Sequence, residues 1–313
     1  MSFATLPKRV FINDVAVRDG FQSEAQFVAT EDKIRLINQL AKTGLAKIEV
    51  TSFVSPKAIP NLRDAQEVIH GLTRQPGVTY VALVPNEQGC ERAIESGIDE
   101  INLVMSIGES HNLANMRMTC KQSLEQFRHV MRMLNGTDMR VNGTIATAFG
   151  CPFDGEPSLE RILWAAQEYA AIGMHSITLA DTIGTAHPRL VEQVAVAYLA
   201  ALPQMPATLH FHNTRGMGLA NVLAGLGAGI VSYDASLGGI GGCPYAPGAS
   251  GNICTEDLVH MLESSGIDTG VDLDALLSCA HELPTMIGHP VPGYVLRAGK
   301  RTNLHSRSAA QRQ

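Results

Sequence analysis

The chain is poor in aromatic side chains (5%) and in charged ones (17%), and basic residues are not in excess, 24 Lys and Arg facing 30 Asp and Glu for a net charge of −6. No basic block stands out ahead of the C-terminus. A nucleic-acid surface needs Lys/Arg stripes and often stacking rings, so that class is excluded. No apolar run is long enough to span a bilayer, which excludes a membrane-spanning segment. Six cysteines (Cys90, Cys120, Cys151, Cys243, Cys254, Cys279) are scattered without CxxC spacing. That scatter excludes a zinc knuckle and a disulfide framework, and it fits a reduced, cytoplasmic protein. The first strand begins near Arg9, so residues 1–8 are too short for a signal or transit peptide.

What the chain does have is a repeated phrase. Gly44-Leu45-Ala46-Lys47-Ile48-Glu49-Val50, Gly97-Ile98-Asp99-Glu100-Ile101-Asn102-Leu103, Gly173-Met174-His175-Ser176-Ile177-Thr178-Leu179 and Gly229-Ile230-Val231-Ser232-Tyr233-Asp234-Ala235 share one form. Each opens with a glycine where a helix stops, because glycine accepts the left-handed conformation without a Cβ clash. Each then runs into a strand whose polar position (Glu49, Asn102, Thr178, Asp234) lies between mostly apolar ones. The apolar side is expected to pack on helices and the polar side to face a shared interior. Preceding segments read as helices: Thr30 is read as an N-cap, with Ile34, Ile37, Leu40 and Ala41 on one stripe, and Ser158 caps a second, with Ile162, Leu163, Ala166 and Ala170.

Further strands are expected over residues 10–17, 78–84, 140–147 and 207–212. Eight strands alternating with eight helix-length segments in 313 residues predict an α/β protein, a (β/α)8 TIM barrel over residues 9–266. A C-terminal helical extension, with a helix over residues 272–287, and a polar tail fill residues 267–313. The rival, an open doubly wound sheet, calls for a Gly-x-Gly-x-x-Gly turn after the first strand, and Arg18-Asp19-Gly20-Phe21-Gln22 does not fit it.

In such barrels the chemistry sits at the C-terminal strand ends. Those ends deliver Arg18 and Asp19, then Glu49, then Asp181, then His210, His212 and Asn213. The eighth strand runs into a glycine-rich loop carrying Cys243 and Asn252. His210 and His212, two apart on an extended strand, share one face and can grip one ion. With Asp19 and Asn252 they make a mixed nitrogen and oxygen shell that suits Mg²⁺ or Mn²⁺, with Zn²⁺ the second choice. Structural alternatives stay open here. Arg18 and Glu49 also read as a structural ion pair, Asp181 as a loop cap, and the glycine loop as a phosphate cradle.

Val17-Arg18-Asp19-Gly20-Phe21-Gln22, Ile48-Glu49-Val50-Thr51-Ser52-Phe53-Val54-Ser55-Pro56-Lys57, Asp181-Thr182-Ile183-Gly184, Gly241-Gly242-Cys243-Pro244-Tyr245-Ala246, Gly248-Ala249-Ser250-Gly251-Asn252 and Thr255-Glu256-Asp257-Leu258 resemble the 3-hydroxy-3-methylglutaryl-CoA lyase family. The resemblance runs from Val10 to about Gly270. It implies a metal-dependent retro-Claisen lyase acting on a CoA thioester, releasing acetyl-CoA and acetoacetate, as in leucine degradation. It implies Asp19, His210, His212 and Asn252 as metal ligands, and Arg18, Asp19, Glu49, Asp181 and Cys243 as catalytic residues. Arg297 and Lys300, beside Arg301, form a basic cluster that fits CoA phosphates, although a solvated tail fits them equally. Where the family has Asp, Thr and Tyr after the second histidine, this chain has Asn213-Thr214-Arg215. Arg215 is therefore expected to help choose the acyl group, and a related branched 3-hydroxyacyl-CoA is the alternative substrate. A condensing synthase or ketoacid aldolase on the same barrel, and a catalytically silent binding barrel, are the competing readings. A homo-oligomer is left open.

Overall fold

The computed structural model describes residues 3–242 and 251–304. Eight parallel strands, β1 (Phe11–Asp14), β2 (Lys47–Ser52), β3 (Thr79–Leu83), β4 (Glu100–Ser106), β5 (Arg140–Ala146), β6 (Ser176–Asp181), β7 (Ala207–Phe211) and β8 (Ser232–Ala235), pair in chain order. β8 returns to β1 and closes the barrel. Helices α1 (Thr30–Leu40), α2 (Ala65–His70), α3 (Glu87–Ser96), α4 (Glu109–Met116), α5 (Cys120–Met133), α6 (Leu159–Ile172), α7 (Pro188–Ala201) and α8 (Gly218–Ala228) lie between the strands. After β8 come α9 (Thr255–Ser264), α10 (Leu273–Ile287) and α11 (Tyr294–Ala298). None of these helices is long and apolar enough to cross a membrane.

All four repeat glycines take positive φ: Gly44 at 94°, Gly97 at 64°, Gly173 at 95° and Gly229 at 105°. Gly97, Gly173 and Gly229 end α3, α6 and α8 directly. Gly44 has a second reason to be glycine, since a Cβ there would stand 2.0 Å from the Gly270 carbonyl oxygen. Here the chain leading to α10 lies against the turn between α1 and β2, where Asp272 N donates to Thr43 O at 2.7 Å, and α10 then packs on α1 and α9. The expected helix over residues 272–287 is α10, with the Asp272 carboxylate accepting from the Asp274 and Ala275 N–H groups as its N-cap.

Three local expectations are corrected. Thr30 does not cap α1; Ala29 holds that position, and the Thr30 hydroxyl donates to Asp64 at 2.8 Å. The fully buried α1 stripe adds Lys33 and Leu36 to Ile37 and Leu40, with Ile34 only partly buried against the same core. Lys33 is tolerated inside because its ammonium reaches Asp64 at 2.7 Å and the Asn61 carbonyl at 2.6 Å, while Phe27 covers it. The first strand stops at Asp14 instead of running to Val17. The buried Asp14 carboxylate accepts from Ala16 N and from the Thr255 hydroxyl, and these bonds turn the chain out of the sheet.

The barrel interior is polar where many barrels are filled by Val, Ile and Leu. Asn142 donates to Asn102 (3.1 Å) and Thr178 (3.0 Å), Thr144 donates to Asn102 (2.7 Å), and Ser176 donates to Asn142 (2.8 Å). Asn102 in turn donates to Glu49 at 3.2 Å. The polar positions of the repeat therefore face one shared interior, and their bonds hold Glu49 from below. The apolar partners on β2, Ile48 and Val50, are fully buried, and β2 packs on α1 and α2.

Candidate active site

Arg18 and Asp19 reach the barrel mouth through a single π-helical turn, Ala16–Gly20. Asp19 N donates to Val15 O at 2.7 Å and Gly20 N to the same oxygen at 3.4 Å. Such wide turns carry one extra residue, which here brings two consecutive polar side chains to the cavity. The turn is held from outside. Asn61 donates to the Phe21 carbonyl at 3.1 Å and the Glu24 carbonyl at 2.6 Å. Gly20 leaves room for Ile240, whose side chain would stand 2.6 Å from a Cβ at that position.

The Arg18 guanidinium bridges two acids. Its Nε donates to Glu49 Oε2 at 2.5 Å and its Nη1 to Asp19 Oδ1. Three of its five N–H groups are left for other acceptors. Burial pushes the Glu49 carboxyl above its ordinary pKa, against the pull of Arg18. Burial also works on Asp19, but Arg18, His212, His210 and the Asn252 bond outweigh it and hold that carboxyl at about 2.

His210 and His212 stand on one face of β7's end with ring centroids 5.2 Å apart. Together with Asp19 they form a group whose ligand atoms lie within 4.8 Å of one another. His210 Nδ1 is 3.3 Å from Asp234 Oδ2, and His212 Nε2 is 3.7 Å from Asp19 Oδ2. Burial would lower the His210 pKa, but Asp234 and Asp19 raise it overall. Burial and the neighbouring His210 lower His212 to about 4, so its ring is neutral near pH 7.

Asn252 arrives from the far side of the glycine loop. Residues 251–253 run beside the end of β7, where Asn213 N donates to Gly251 O at 2.8 Å and Ile253 N to Phe211 O at 3.0 Å. The Asn252 amide nitrogen donates to Asp19 Oδ2 (2.8 Å) and Ile240 O (3.0 Å), which fixes the direction of the amide. Its Oδ1, on a residue only 3% exposed, has no hydrogen-bond partner among the described residues, and neither does His212 Nδ1. A buried acceptor left unpaired is costly unless a ligand satisfies it. Two imidazoles, an ionised carboxylate and an orphaned amide oxygen in one place fit a divalent cation.

Arg18, Asp19, His210 and His212 line a cavity of about 420 Å³ at the barrel mouth. Part of its wall is apolar, including Val54, Ile59, Leu83, Val84, Met116 and Met118. Glu49 borders a smaller polar space below, of about 30 Å³. Asp181 sits elsewhere. Both of its oxygens accept loop N–H groups, Oδ1 from Thr185 at 2.8 Å and Oδ2 from Ala186 at 3.1 Å, and burial raises its pKa to about 6. Arg215 donates to the Ile183 and Gly184 carbonyls, tying the loop after β7 to that after β6. Arg297 stays on the C-terminal extension, donating to Gly293 O and Pro292 O, and Lys300 pairs with Asp274 at 2.5 Å. Neither residue borders the cavity. Cys243 lies outside the described residues.

Asp234, Asn61 and the Thr255-Glu256-Asp257 run contribute to the site in ways the sequence does not announce. Asp234 was legible as an inward polar position but not as the partner of His210. Asn61, the clamp on the π turn, carries no signal in the sequence. The purpose of the Thr255-Glu256-Asp257 run shows only in the fold. Thr255 holds Asp14, Glu256 accepts from Gly238 N at 3.1 Å, and Asp257 accepts from Tyr294 N and Val295 N. The start of α9 thus joins β1, the glycine loop and α11.

The HMGL-like family profile matches residues 9–282. The chain is 46% identical over 298 residues to a hydroxymethylglutaryl-CoA lyase of Bacillus subtilis, covering 94% of this chain and 98% of that one. It is 40% identical over 283 residues to a 3-hydroxy-3-isohexenylglutaryl-CoA/hydroxymethylglutaryl-CoA lyase of Pseudomonas aeruginosa, covering 90% and 94%. An HMG-CoA lyase from Acinetobacter baumannii, solved with coenzyme A and 3-methylmalate, superposes with a TM-score of 0.92 at 50% identity, covering 96% and 98%. With the closed barrel, the Asp19–His210–His212 cluster and this similarity along nearly its whole length, the chain belongs to the HMGL-like family of carbon–carbon lyases.

Proposed function

We propose that the protein is a divalent-metal-dependent lyase that cleaves 3-hydroxy-3-methylglutaryl-CoA to acetyl-CoA and acetoacetate by a retro-Claisen step. The observation that carries this reading is the cluster of Asp19, His210 and His212 beside the orphaned Asn252 oxygen, with Arg18 opening onto the same cavity. The coenzyme A in the Acinetobacter baumannii structure supports a CoA thioester as the substrate.

A divalent ion, Mg²⁺ or Mn²⁺, held by Asp19, His210, His212 and Asn252 would supply Lewis acidity toward the substrate's 3-hydroxyl. This chain's residues do the rest. The 3-hydroxyl proton passes to a carboxylate, Glu49 or Asp19, of which Asp19, held at about 2, is the weaker base. As the C2–C3 bond breaks, the electron pair moves onto the thioester carbonyl oxygen. Arg18 donates to that oxygen from its free N–H groups, kept in place by Glu49 and Asp19. C2 then takes a proton, and Cys243 is the donor this reading assigns. Asp181 acts at one remove, fixing the loop that carries Thr182 to the cavity wall.

A second reading shares the chemistry but enlarges the acyl group. The apolar stretch of the cavity wall and the relative named for an isohexenylglutaryl thioester both favour a longer branch at C3. Both readings are tested by following acetyl-CoA release from a series of 3-hydroxy-3-alkylglutaryl-CoA thioesters, with 3-hydroxybutyryl-CoA as a control lacking the tertiary carbinol. The methyl compound should give the highest kcat/KM, with acetoacetate equal to acetyl-CoA. A preference for the longer branch would move the assignment to the second reading. No acetyl-CoA from any member would refute both.

A further inference from the structure

Below the metal-binding cluster, β8 places a carboxylate that the reaction itself does not use. Asp234, whose side chain is 15% exposed, meets His210 Nδ1 through Oδ2 at 3.3 Å. Its other oxygen, Oδ1, accepts from Asn13 Nδ2 at 2.9 Å. The Asn13 amide also reaches Ser232 Oγ at 3.3 Å, and Thr208 donates to that hydroxyl at 2.9 Å. The carboxylate is therefore held by β1 from one side and aimed at β7 from the other. Its β8–β7 register places Asp234 directly beside His210.

Two consequences follow from the chemistry of imidazole. A carboxylate only accepts, so His210 Nδ1 must carry the hydrogen, and the lone pair is left on Nε2. The negative charge also makes that nitrogen a better electron donor. His212 has no comparable support, because its Nδ1 has no partner among the described residues.

We propose that Asp234 is a positioning residue that fixes His210 as the Nε2 ligand and makes it the stronger of the two imidazole ligands. This rests on the metal reading above. It does not depend on which thioester is cleaved.

The test is Mn²⁺ affinity of the full-length protein, read from the free-ion electron paramagnetic resonance signal with no substrate present. Asp234→Ala should weaken Mn²⁺ binding about 10- to 100-fold. Asp234→Asn, which keeps the shape and an accepting oxygen but not the charge, should lose about three- to tenfold. Ser232→Ala removes a hydroxyl from the same polar network without touching His210, and should stay within about twofold of the parent. Should Asp234→Ala fail to fold, the near-isosteric Asn variant carries the comparison. Parent-like affinity in the Asp234 variants, an equal loss in Ser232→Ala, or a parent protein that does not bind Mn²⁺ would each overturn the proposal. Mn²⁺ binding that follows the predicted order in a protein inactive on every thioester would leave it standing and sink the lyase reading alone.

Discussion

Exchanging Arg18 for methionine is expected to lower kcat by about 10²- to 10³-fold, the usual loss when one preorganised donor to a developing oxyanion is removed. Arg18 is the cationic donor that borders the cavity, and its bonds to Glu49 and Asp19 hold it in place for that oxygen. Those same bonds give the substitution a second signature. Glu49 and the Asp19 side chain, 5% and 16% exposed, would lose their shared counter-cation. Removing one partner of a buried pair typically costs about 3–5 kcal/mol, so urea midpoints should fall together with turnover. Arg18→Lys separates the two effects. It keeps the charge but not the planar fork, and should recover more of the stability than of the turnover. A methionine variant with kcat within about threefold of the parent would remove Arg18 from the chemistry and leave it a structural ion pair.

Cys243→Ser is expected to reduce kcat by about 10²- to 10⁴-fold while changing KM little. Cys243 is covalently next to Gly242, which lines the cavity and whose carbonyl accepts from the Ser23 hydroxyl at 3.0 Å. Six glycines fall between Gly238 and Gly251. Of these, Gly238, Gly239, Gly241 and Gly251 have positive φ of 69°, 75°, 100° and 96°, conformations that L side chains resist. Ordering so glycine-rich a segment costs considerable backbone entropy, a cost that makes sense if the residue that follows Gly242 serves the reaction. A thiol with a reference pKa of about 8.5 can give a proton to an enolate carbon near neutral pH, and a serine hydroxyl is a far weaker acid. The other five cysteines are buried and free, so alkylation should titrate one group, with substrate protecting it. Parent-like turnover in the serine variant would assign the loop to binding alone.

How much of this was legible depended on the kind of signal. The repeat glycines could be read because a left-handed backbone leaves few alternatives to glycine. The inward polar positions Glu49, Asn102, Thr178 and Asp234 could be read because a strand alternates strictly. His210 and His212 followed from the same alternation. The π turn could not be read. No periodicity announces an extra residue after β1, and the turn depends on Asn61 and Ile240, which lie 41 and 220 residues beyond Gly20 in the sequence. Asp181 shows another limit. Its place at the end of β6 was evident, but only the folded loop reveals that Thr185 and Ala186 take both its oxygens. For Asp234, alternation says which way the side chain points and is silent on which histidine it meets.

The most direct test of the account is to strip the protein of metal and titrate Mn²⁺ back while following acetyl-CoA release from 3-hydroxy-3-methylglutaryl-CoA. The parent should be inactive when stripped and recover full turnover at one Mn²⁺ per chain. His210→Ala should need about 10²-fold more metal or fail to recover, since a ligand and not merely its support is gone. Full activity in the stripped parent, or unchanged metal demand in His210→Ala, would contradict the assignment of Asp19, His210, His212 and Asn252 as one catalytic metal site.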